Sequence, residues 1–217
     1  MKRLVTLGNH YDASRPFVHL FNRHVILNKD YKNLEEAKLN SNDVLLLCGG
    51  EDISPSTYNQ RPSRHTGQGG RMSERDVFEI HAMGIAKEVG ASILGICRGA
   101  QLLCAFSGGS LFQHVNNHSG RSHTITTNDN KVISVSSAHH QMMNPFSTKH
   151  ELIAWATEVM SDVHLVEDEK NLKVEVEPEI VFFHELKGLA LQYHPEFMAD
   201  NSEGVKYSIE LVKKYLL

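Results

Sequence analysis

A short apolar run that passes straight into a helical pattern at Cys97 is the feature that most restricts the fold of this chain. Residues 92–96 have the length and composition of a buried strand, and apolar residues recur at helical spacing over 98–106. A strand that meets a helix within one or two residues is typical of the parallel sheets of α/β proteins. The small residues in "GICRGA" fit the tight turn that such a junction needs.

The remaining patterns predict a central parallel sheet with an antiparallel extension. Strands and helices alternate in the first half of the chain, and a run of strands follows residue 109. The first half has predicted strands at residues 3–8, 24–27 and 92–96, a buried strand within 42–52 that runs into a glycine turn, and predicted helices at 14–24, 33–39, 73–90 and 98–106. The second half has predicted strands at 123–127, 131–137, 151–157, 179–185 and 188–194, and a closing helix at 202–217. The Pro- and Gly-rich stretch 53–72 is expected to be a functional loop, and the acidic stretch 167–179 a solvated surface.

Composition limits the partners and the compartment. A chain of 217 residues with 41% hydrophobic residues can form one domain, and we expect a single domain over residues 1–217. The net charge of −4, without a dense Lys/Arg cluster, argues against nucleic acid and anionic membranes as partners. The apolar runs are too short for a signal peptide or a membrane span. Three cysteines without a secretion signal indicate reduced thiols and a cytoplasmic protein.

Cys97 has the position of a catalytic nucleophile. Ligands of open parallel sheets bind beyond the carboxyl ends of the strands, and a helix N-terminus there favours a thiolate. The stretch "LALQYHPEF" places His194 after a later strand and Glu196 two residues further on, on the same side of an extended segment. A thiol, an imidazole and a carboxylate that orients the imidazole form the pattern of a nucleophilic triad. Cys48 and Cys104 are expected in the core.

The glycine pair at residues 49 and 50 follows another buried strand. A backbone N–H at this turn can point toward the same pocket, and with the N–H of Arg98 it would form an oxyanion hole. The alternative is an ordinary turn glycine pair.

Together, "GGEDISP", "GICRGAQ" and "YHPE" resemble the class I glutamine amidotransferase superfamily, and within it the γ-glutamyl-γ-aminobutyrate hydrolase branch, peptidase family C26. The stretches "RDVFE", "GGSLFQ" and "SSAHHQ" match further motifs in the expected order over nearly the whole chain. The resemblance implies a flavodoxin-like open sheet and a hydrolase acting on a linear amide C–N bond through a thioester. It also implies that Cys97, His194 and Glu196 form the triad, with Gly50 and Arg98 as oxyanion donors.

By the same resemblance, the residues that hold the glutamyl group of a small-molecule substrate would be Gln101, Ser137, His139, His140 and Gln141. Arg98 is typical of the hydrolase branch. Two departures, His114 in place of an acidic residue and the stretch 157–172, fall on the leaving-group side. The amine therefore stays open among γ-aminobutyrate, a polyamine, ammonia and a phosphoramidate-type nucleotide.

The fourteen histidines raise the alternative of a metal enzyme. His139 and His140 are adjacent and would point in opposite directions on a strand, and no carboxylate lies at ligand spacing near His114, His118 and His123. We therefore expect neither a metal nor another cofactor. Two functions remain: a free-standing γ-glutamyl hydrolase, or a glutaminase subunit that delivers ammonia to a synthetase partner. A homodimer is the default expectation for a soluble enzyme.

Overall fold

The computed structural model describes residues 2–28, 31–167 and 170–217. Its strands in chain order are β1 (Arg3–Leu7), β2 (Arg23–Leu27), β3 (Asp43–Leu47), β4 (Ser92–Ile96), β5 (Ser110–Phe112), β6 (His114–Val115), β7 (Ser119–Thr127), β8 (Val132–Ala138), β9 (Met142–Asn144), β10 (Glu151–Ala156), β11 (His164–Leu165), β12 (Pro178–Phe183) and β13 (Gly188–Leu191). The α-helices are α1 (Tyr31–Ala37), α2 (Glu74–Val89), α3 (Arg98–Phe106) and α4 (Glu203–Tyr215).

Nine of these strands form one sheet in the order β2-β1-β3-β4-β13-β12-β10-β7-β8. Strands β2, β1, β3, β4 and β13 are parallel, and the pairs from β13 to β8 are antiparallel. The predicted α/β architecture with an antiparallel extension is therefore confirmed. Among the described residues, no helix has both the length and the apolar character needed to cross a bilayer.

Both faces of the parallel half are covered, as its sequence demands. Strand β3 is buried at every position, and its residues alternate between two hydrophobic clusters. Leu45 and Leu47 face the cluster that contains residues of α1, α2 and α3, whereas Val44 and Leu46 face the cluster that contains residues of α4. Continuous apolar strands of this kind need a layer of helices on each side.

The signals at the two ends of α2 act as their sequence predicts. Ser73 caps the helix, because its hydroxyl accepts a hydrogen bond from the Asp76 N–H while the Asp76 carboxylate accepts one from the Ser73 N–H. Gly90 ends the helix in the left-handed conformation.

Two expectations are wrong. The predicted helix at 14–24 is a series of turns with one 3-10 turn at Val18–Leu20, because Phe17, Leu20 and Phe21 all pack into one cluster with the parallel strands, and this packing overrides the helical pattern. The acidic stretch 167–179 is not all solvated, because Glu177 and Glu179 are fully buried. Asp168 and Glu169 of this stretch lie outside the described residues.

The small residues around Cys97 allow α3 to approach the sheet closely. A Cβ at Gly99 would collide with the backbone carbonyl of Leu47 in β3, and a Cβ at Gly95 would lie 2.6 Å from the Gly99 carbonyl carbon. This contact fixes the start of α3 against two strands.

We expect Gly99→Ala to lower the free energy of unfolding by about 3 kcal/mol, because backbone atoms of β3 cannot move away cheaply. Gly84→Ala in α2 is the matched control. Nothing lies within 4 Å of a Cβ at Gly84, so a gain of about 0.5–1 kcal/mol is expected from helix propensity. Denaturant unfolding measures both, and equal effects of the two substitutions would contradict the close approach.

Candidate active site

Cys97 lies at the turn between β4 and α3 in a backbone conformation that few residues adopt. Its φ of 50° and ψ of −106° fall outside the regions favoured by non-glycine residues. The turn is held on both sides, since the Cys97 N–H donates to the Leu191 carbonyl at 2.7 Å and the Gln101 N–H donates to the Cys97 carbonyl at 3.0 Å. A strained strand-to-helix turn of this kind is the geometry of a nucleophile elbow.

The three cysteines differ in access. Cys97 is 6% exposed, whereas Cys48 and Cys104 are fully buried. Burial raises the pKa of the Cys48 and Cys104 thiols to about 12. Both are therefore protonated core residues, as their sequence positions predict.

His194 and Glu196 lie next to Cys97. The side chains of Cys97 and His194 lie side by side across Gly49, and His194 Nδ1 lies 2.7 Å from Glu196 Oε1. A Cβ at Gly49 would lie 2.6 Å from His194 Cε1 and 3.6 Å from Cys97 Cβ, so this glycine leaves room for the pair. The structure therefore brings together residues that are 97 positions apart in the chain.

The charge on His194 follows from these two neighbours. Burial lowers the pKa of the His194 ring, but hydrogen bonding to Cys97 and Glu196 outweighs this cost and raises the pKa to about 10. At neutral pH the ring is an imidazolium between a sulfur and a carboxylate. It can hold a proton for transfer and stabilise negative charge on the sulfur.

A network of buried ion pairs anchors the glycine turn beside Cys97. Arg75 Nη2 donates to the carbonyl oxygens of Cys48 and Gly49 at 2.9 and 3.0 Å, and Arg75 Nε donates to Glu79 at 2.7 Å. Gly50 has a φ of 146°, and a Cβ there would collide with the Arg75 guanidinium. The "RDVFE" motif thus supplies groups that hold the turn.

The Arg98 side chain belongs to the same network. Its guanidinium donates to Asp76 Oδ1 at 2.6 Å and to Glu79, and all three side chains are buried. The side chain therefore ties the first turn of α3 to α2. Both terminal nitrogens of the guanidinium are thus engaged within the protein, and the predicted oxyanion donor is the backbone N–H of Arg98.

The residues expected to hold the glutamyl group are placed as follows. Gln101 Nε2 donates to the Gln141 carbonyl at 2.9 Å, and Gln141 Nε2 donates to the Gln113 carbonyl at 3.3 Å. His140 is half-exposed and pairs with Asp52 at 3.0 Å. The Ser137 hydroxyl donates to the His118 carbonyl at 2.7 Å.

His139 is buried, with its Nδ1 2.9 Å from the Gln141 carbonyl. Gln101 and Gln141 are therefore joined by a hydrogen bond, whereas Ser137 and His139 both contact the buried His118. A part for these five residues in substrate binding stays a prediction.

Three further residues contact His194 and were not singled out from the sequence. The Ser136 hydroxyl accepts from the His194 N–H at 3.0 Å and donates to its carbonyl at 2.8 Å. Phe197 stacks on the imidazole with ring centroids 4.3 Å apart and is 50% exposed, and the exposed ring of Tyr11 lies edge-on to both. Only the position of Phe197 within "HPEF" could have indicated such a contact.

Comparisons with known proteins identify the family and the fold. A family model described as Peptidase C26 matches residues 23–196. The glutamine amidotransferase-like protein YvdE of Lactococcus lactis subsp. lactis is 29% identical over 174 residues, which cover 71% of this chain and 66% of YvdE. Its homologue in L. lactis subsp. cremoris is 44% identical over 71 residues, which cover 33% of this chain and 37% of the relative. The chain thus aligns with less than two thirds of the length of either relative.

Solved structures share the fold at low identity. PurLQS of Thermotoga maritima matches with a TM-score of 0.62 and 15% identity, over 96% of this chain and 97% of that chain. The glutaminase domain of Trypanosoma brucei CTPS, with bound acivicin, matches with a TM-score of 0.54 and 15% identity, over 99% and 94%.

We expect an NMR titration to find the His194 ring protonated through neutral pH, with its midpoint displaced upward toward about 10. Glu196→Gln should lower this midpoint, because it removes one of the interactions that stabilise the imidazolium. His139 is the internal reference: burial lowers its pKa well below the ordinary value, so its ring should stay neutral over the same range. A His194 midpoint near 6.5 would contradict the charged pair.

Proposed function

Because the chain belongs to the Peptidase C26 family of the class I glutamine amidotransferase superfamily, whose members act on C–N amide bonds, we propose that it hydrolyses a γ-glutamyl amide through Cys97. One observation carries this proposal. Cys97, at a strained turn of the sheet edge, lies beside the His194 imidazole, which pairs with Glu196 at 2.7 Å and has a pKa raised to about 10. This is the arrangement of a cysteine nucleophile with its acid–base partner.

In the first half of the reaction, the Cys97 thiolate attacks the δ-carbonyl carbon of the γ-glutamyl group and forms a tetrahedral intermediate. The C–N bond then breaks, and His194 gives its proton to the departing amine nitrogen. The product on the protein is a γ-glutamyl thioester. Neutral His194 next takes a proton from water, the hydroxide oxygen attacks the thioester, and glutamate leaves with regeneration of the thiolate–imidazolium pair.

We assign backbone N–H groups as the donors that stabilise the negative oxygen of the tetrahedral intermediate. The first N–H groups of a helix have no partner within it, so the Arg98 N–H at the start of α3 suits this role. The Gly50 N–H would be the second donor. The buried pairs of Arg75 and Arg98 with Glu79 support both donors, because they fix the two turns relative to each other.

The leaving amine must pass close to His194, since that residue protonates it. The exposed rings of Phe197 and Tyr11 surround the imidazole on this side. We assign these rings to the apolar chain or cationic group of an amine larger than ammonia.

The structural likeness to the CTPS glutaminase domain supports one alternative, a glutaminase that passes ammonia to a synthetase. Glutamine would then be the productive substrate, and turnover would depend on a partner. The exposed aromatic pair beside His194 favours the hydrolase, because ammonia has no apolar part to contact.

A panel of γ-glutamyl amines that includes glutamine tests the reaction, with released glutamate as the readout. Cys97→Ala should remove turnover and keep the fold, while the matched substitution Cys104→Ala should retain it. His194→Ala should lower kcat more than Glu196→Gln, since Glu196 orients the base and moves no proton to the amine. Undiminished turnover by Cys97→Ala would refute the nucleophile, and turnover of glutamine alone would favour the alternative.

Phe197→Ala tests whether this ring contacts the leaving amine and not the glutamyl group. We expect KM to rise roughly fivefold for amides of long-chain amines, from loss of about 1 kcal/mol of aromatic contact, with little change for glutamine. Ile26→Ala removes an equally exposed apolar side chain on the edge strand β2 and should change neither value. An equal rise in KM for all substrates would contradict the assignment.

A further inference from the structure

A second group of ionisable side chains lies in the interior, around Glu179. The register between β10 and β12 slips at this residue, because Ala154 pairs with Ile180 and the next residue, Trp155, pairs with Pro178. Glu179 is thus the extra residue of a β-bulge, a feature that re-aims a side chain. Its carboxylate is fully buried, and among the described residues neither oxygen has a hydrogen-bond partner. An unsatisfied buried carboxylate costs several kcal/mol unless a cation meets it.

Three imidazole nitrogens surround one oxygen of this carboxylate. His123 Nε2 lies 3.0 Å from Glu179 Oε1, and His118 Nδ1 and His139 Nε2 each lie 3.9 Å from it. All three rings are buried. The 3.0 Å contact is not aligned as a hydrogen bond, since among the described residues neither His123 nor Glu179 has a hydrogen-bond partner for its side chain.

The far nitrogens of two rings are already engaged. His118 Nε2 lies 3.1 Å from the Glu177 carboxylate, which also accepts hydrogen bonds from two backbone N–H groups. Burial alone would raise the pKa of Glu177, but these bonds outweigh it and lower the pKa to about 2. His139 Nδ1 lies 2.9 Å from the Gln141 carbonyl. The Gln141 carbonyl needs an N–H, so in the neutral His139 ring the lone pair of Nε2 faces Glu179. His118 Nδ1 lies 3.4 Å from the Ser137 hydroxyl and 3.9 Å from Glu179 Oε1. Metal-ligating histidines are oriented in this way by carboxylates and carbonyls.

We propose that His118, His123 and Glu179 bind a divalent zinc ion, with His139 Nε2 as the fourth donor. The ligand atoms of the first three residues all lie within 4.8 Å of one another. Neighbouring ligands of a tetrahedral zinc site, with Zn–N of about 2.0–2.1 Å, lie about 3.3 Å apart, so small side-chain shifts would complete the site. A set of imidazoles with one carboxylate suits zinc, and full burial is typical of a closed, structural centre.

Such an ion would join segments that are distant in the chain. His118 precedes β7, His123 lies within it, His139 follows β8, and Glu179 belongs to β12, which pairs with β13 just before His194. The ion would therefore fasten the antiparallel extension to the strand that carries the proposed base. Sequence spacing hid the site, because its carboxylate is 56 residues beyond the last histidine of the His118–His123 pair.

Metal content and cobalt spectroscopy of the full chain test the proposal. The protein is incubated with ZnCl2, passed through a chelating resin and measured for zinc by mass spectrometry. We expect one zinc per chain, a melting midpoint raised by about 5 °C or more, and, with CoCl2 instead, the intense visible bands of tetrahedral Co²⁺. The cobalt spectrum needs no variant, so it decides the case even where a variant fails to fold.

Four variants locate the ion. Glu179→Gln and His123→Asn should each lose the retained zinc and the thermal shift. Cys97→Ala should keep both, which excludes binding by the thiol of the proposed active site. His19→Asn, at an exposed histidine, should also keep both.

Folded wild-type protein that retains no zinc and gives no tetrahedral cobalt spectrum would overturn the proposal and leave Glu179 paired with a protonated His123. Zinc lost with Cys97→Ala but kept by Glu179→Gln would overturn it as well.

Discussion

The parallel pairing of β4 with β3 and β13 is the constraint on which the site depends. Ile96 pairs with Leu191, and the Cys97 N–H continues this ladder onto the Leu191 carbonyl. Because parallel strands end at the same edge of a sheet, Cys97 and His194 emerge side by side, one and three residues beyond that last pair. The glycine turn after β3 closes the third side, where Gly49 leaves space for the imidazole.

Buried charge holds this edge in shape. Arg75 and Arg98 are almost fully enclosed, and they meet Glu79, Asp76 and backbone carbonyls at hydrogen-bonding distance. Taking such groups out of water is costly, and the cost is repaid only where every partner is in place. A network of this kind therefore fixes geometry more than it adds stability. Here it fixes the glycine turn and the start of α3, the two places that offer backbone donors to an oxyanion.

The interior of the antiparallel half is less usual. It holds Glu177 and Glu179 among four histidines, where a solvated acidic stretch was expected. Glu177 is satisfied by two rings and two N–H groups, whereas Glu179 is left without hydrogen bonds by the bulge in β12. Strand alternation places these two carboxylates, two residues apart, on the same side of the chain, and two register shifts in the pairing of β10 with β12 lie beside Glu179. Neither is visible in a charge pattern.

The sequence by itself determined the α/β order, the capped helix from Ser73, the thiol at a strand-to-helix junction and the "HPE" segment, because these features depend on local periodicity and turn chemistry. The family resemblance rested on the same short motifs. Tertiary structure alone decided that the Arg98 side chain faces α2, that Ser136 and Phe197 flank His194, and that three histidines converge around Glu179. Those outcomes depend on strand order and register across the sheet, which place residues far apart in the chain within contact and leave no local trace.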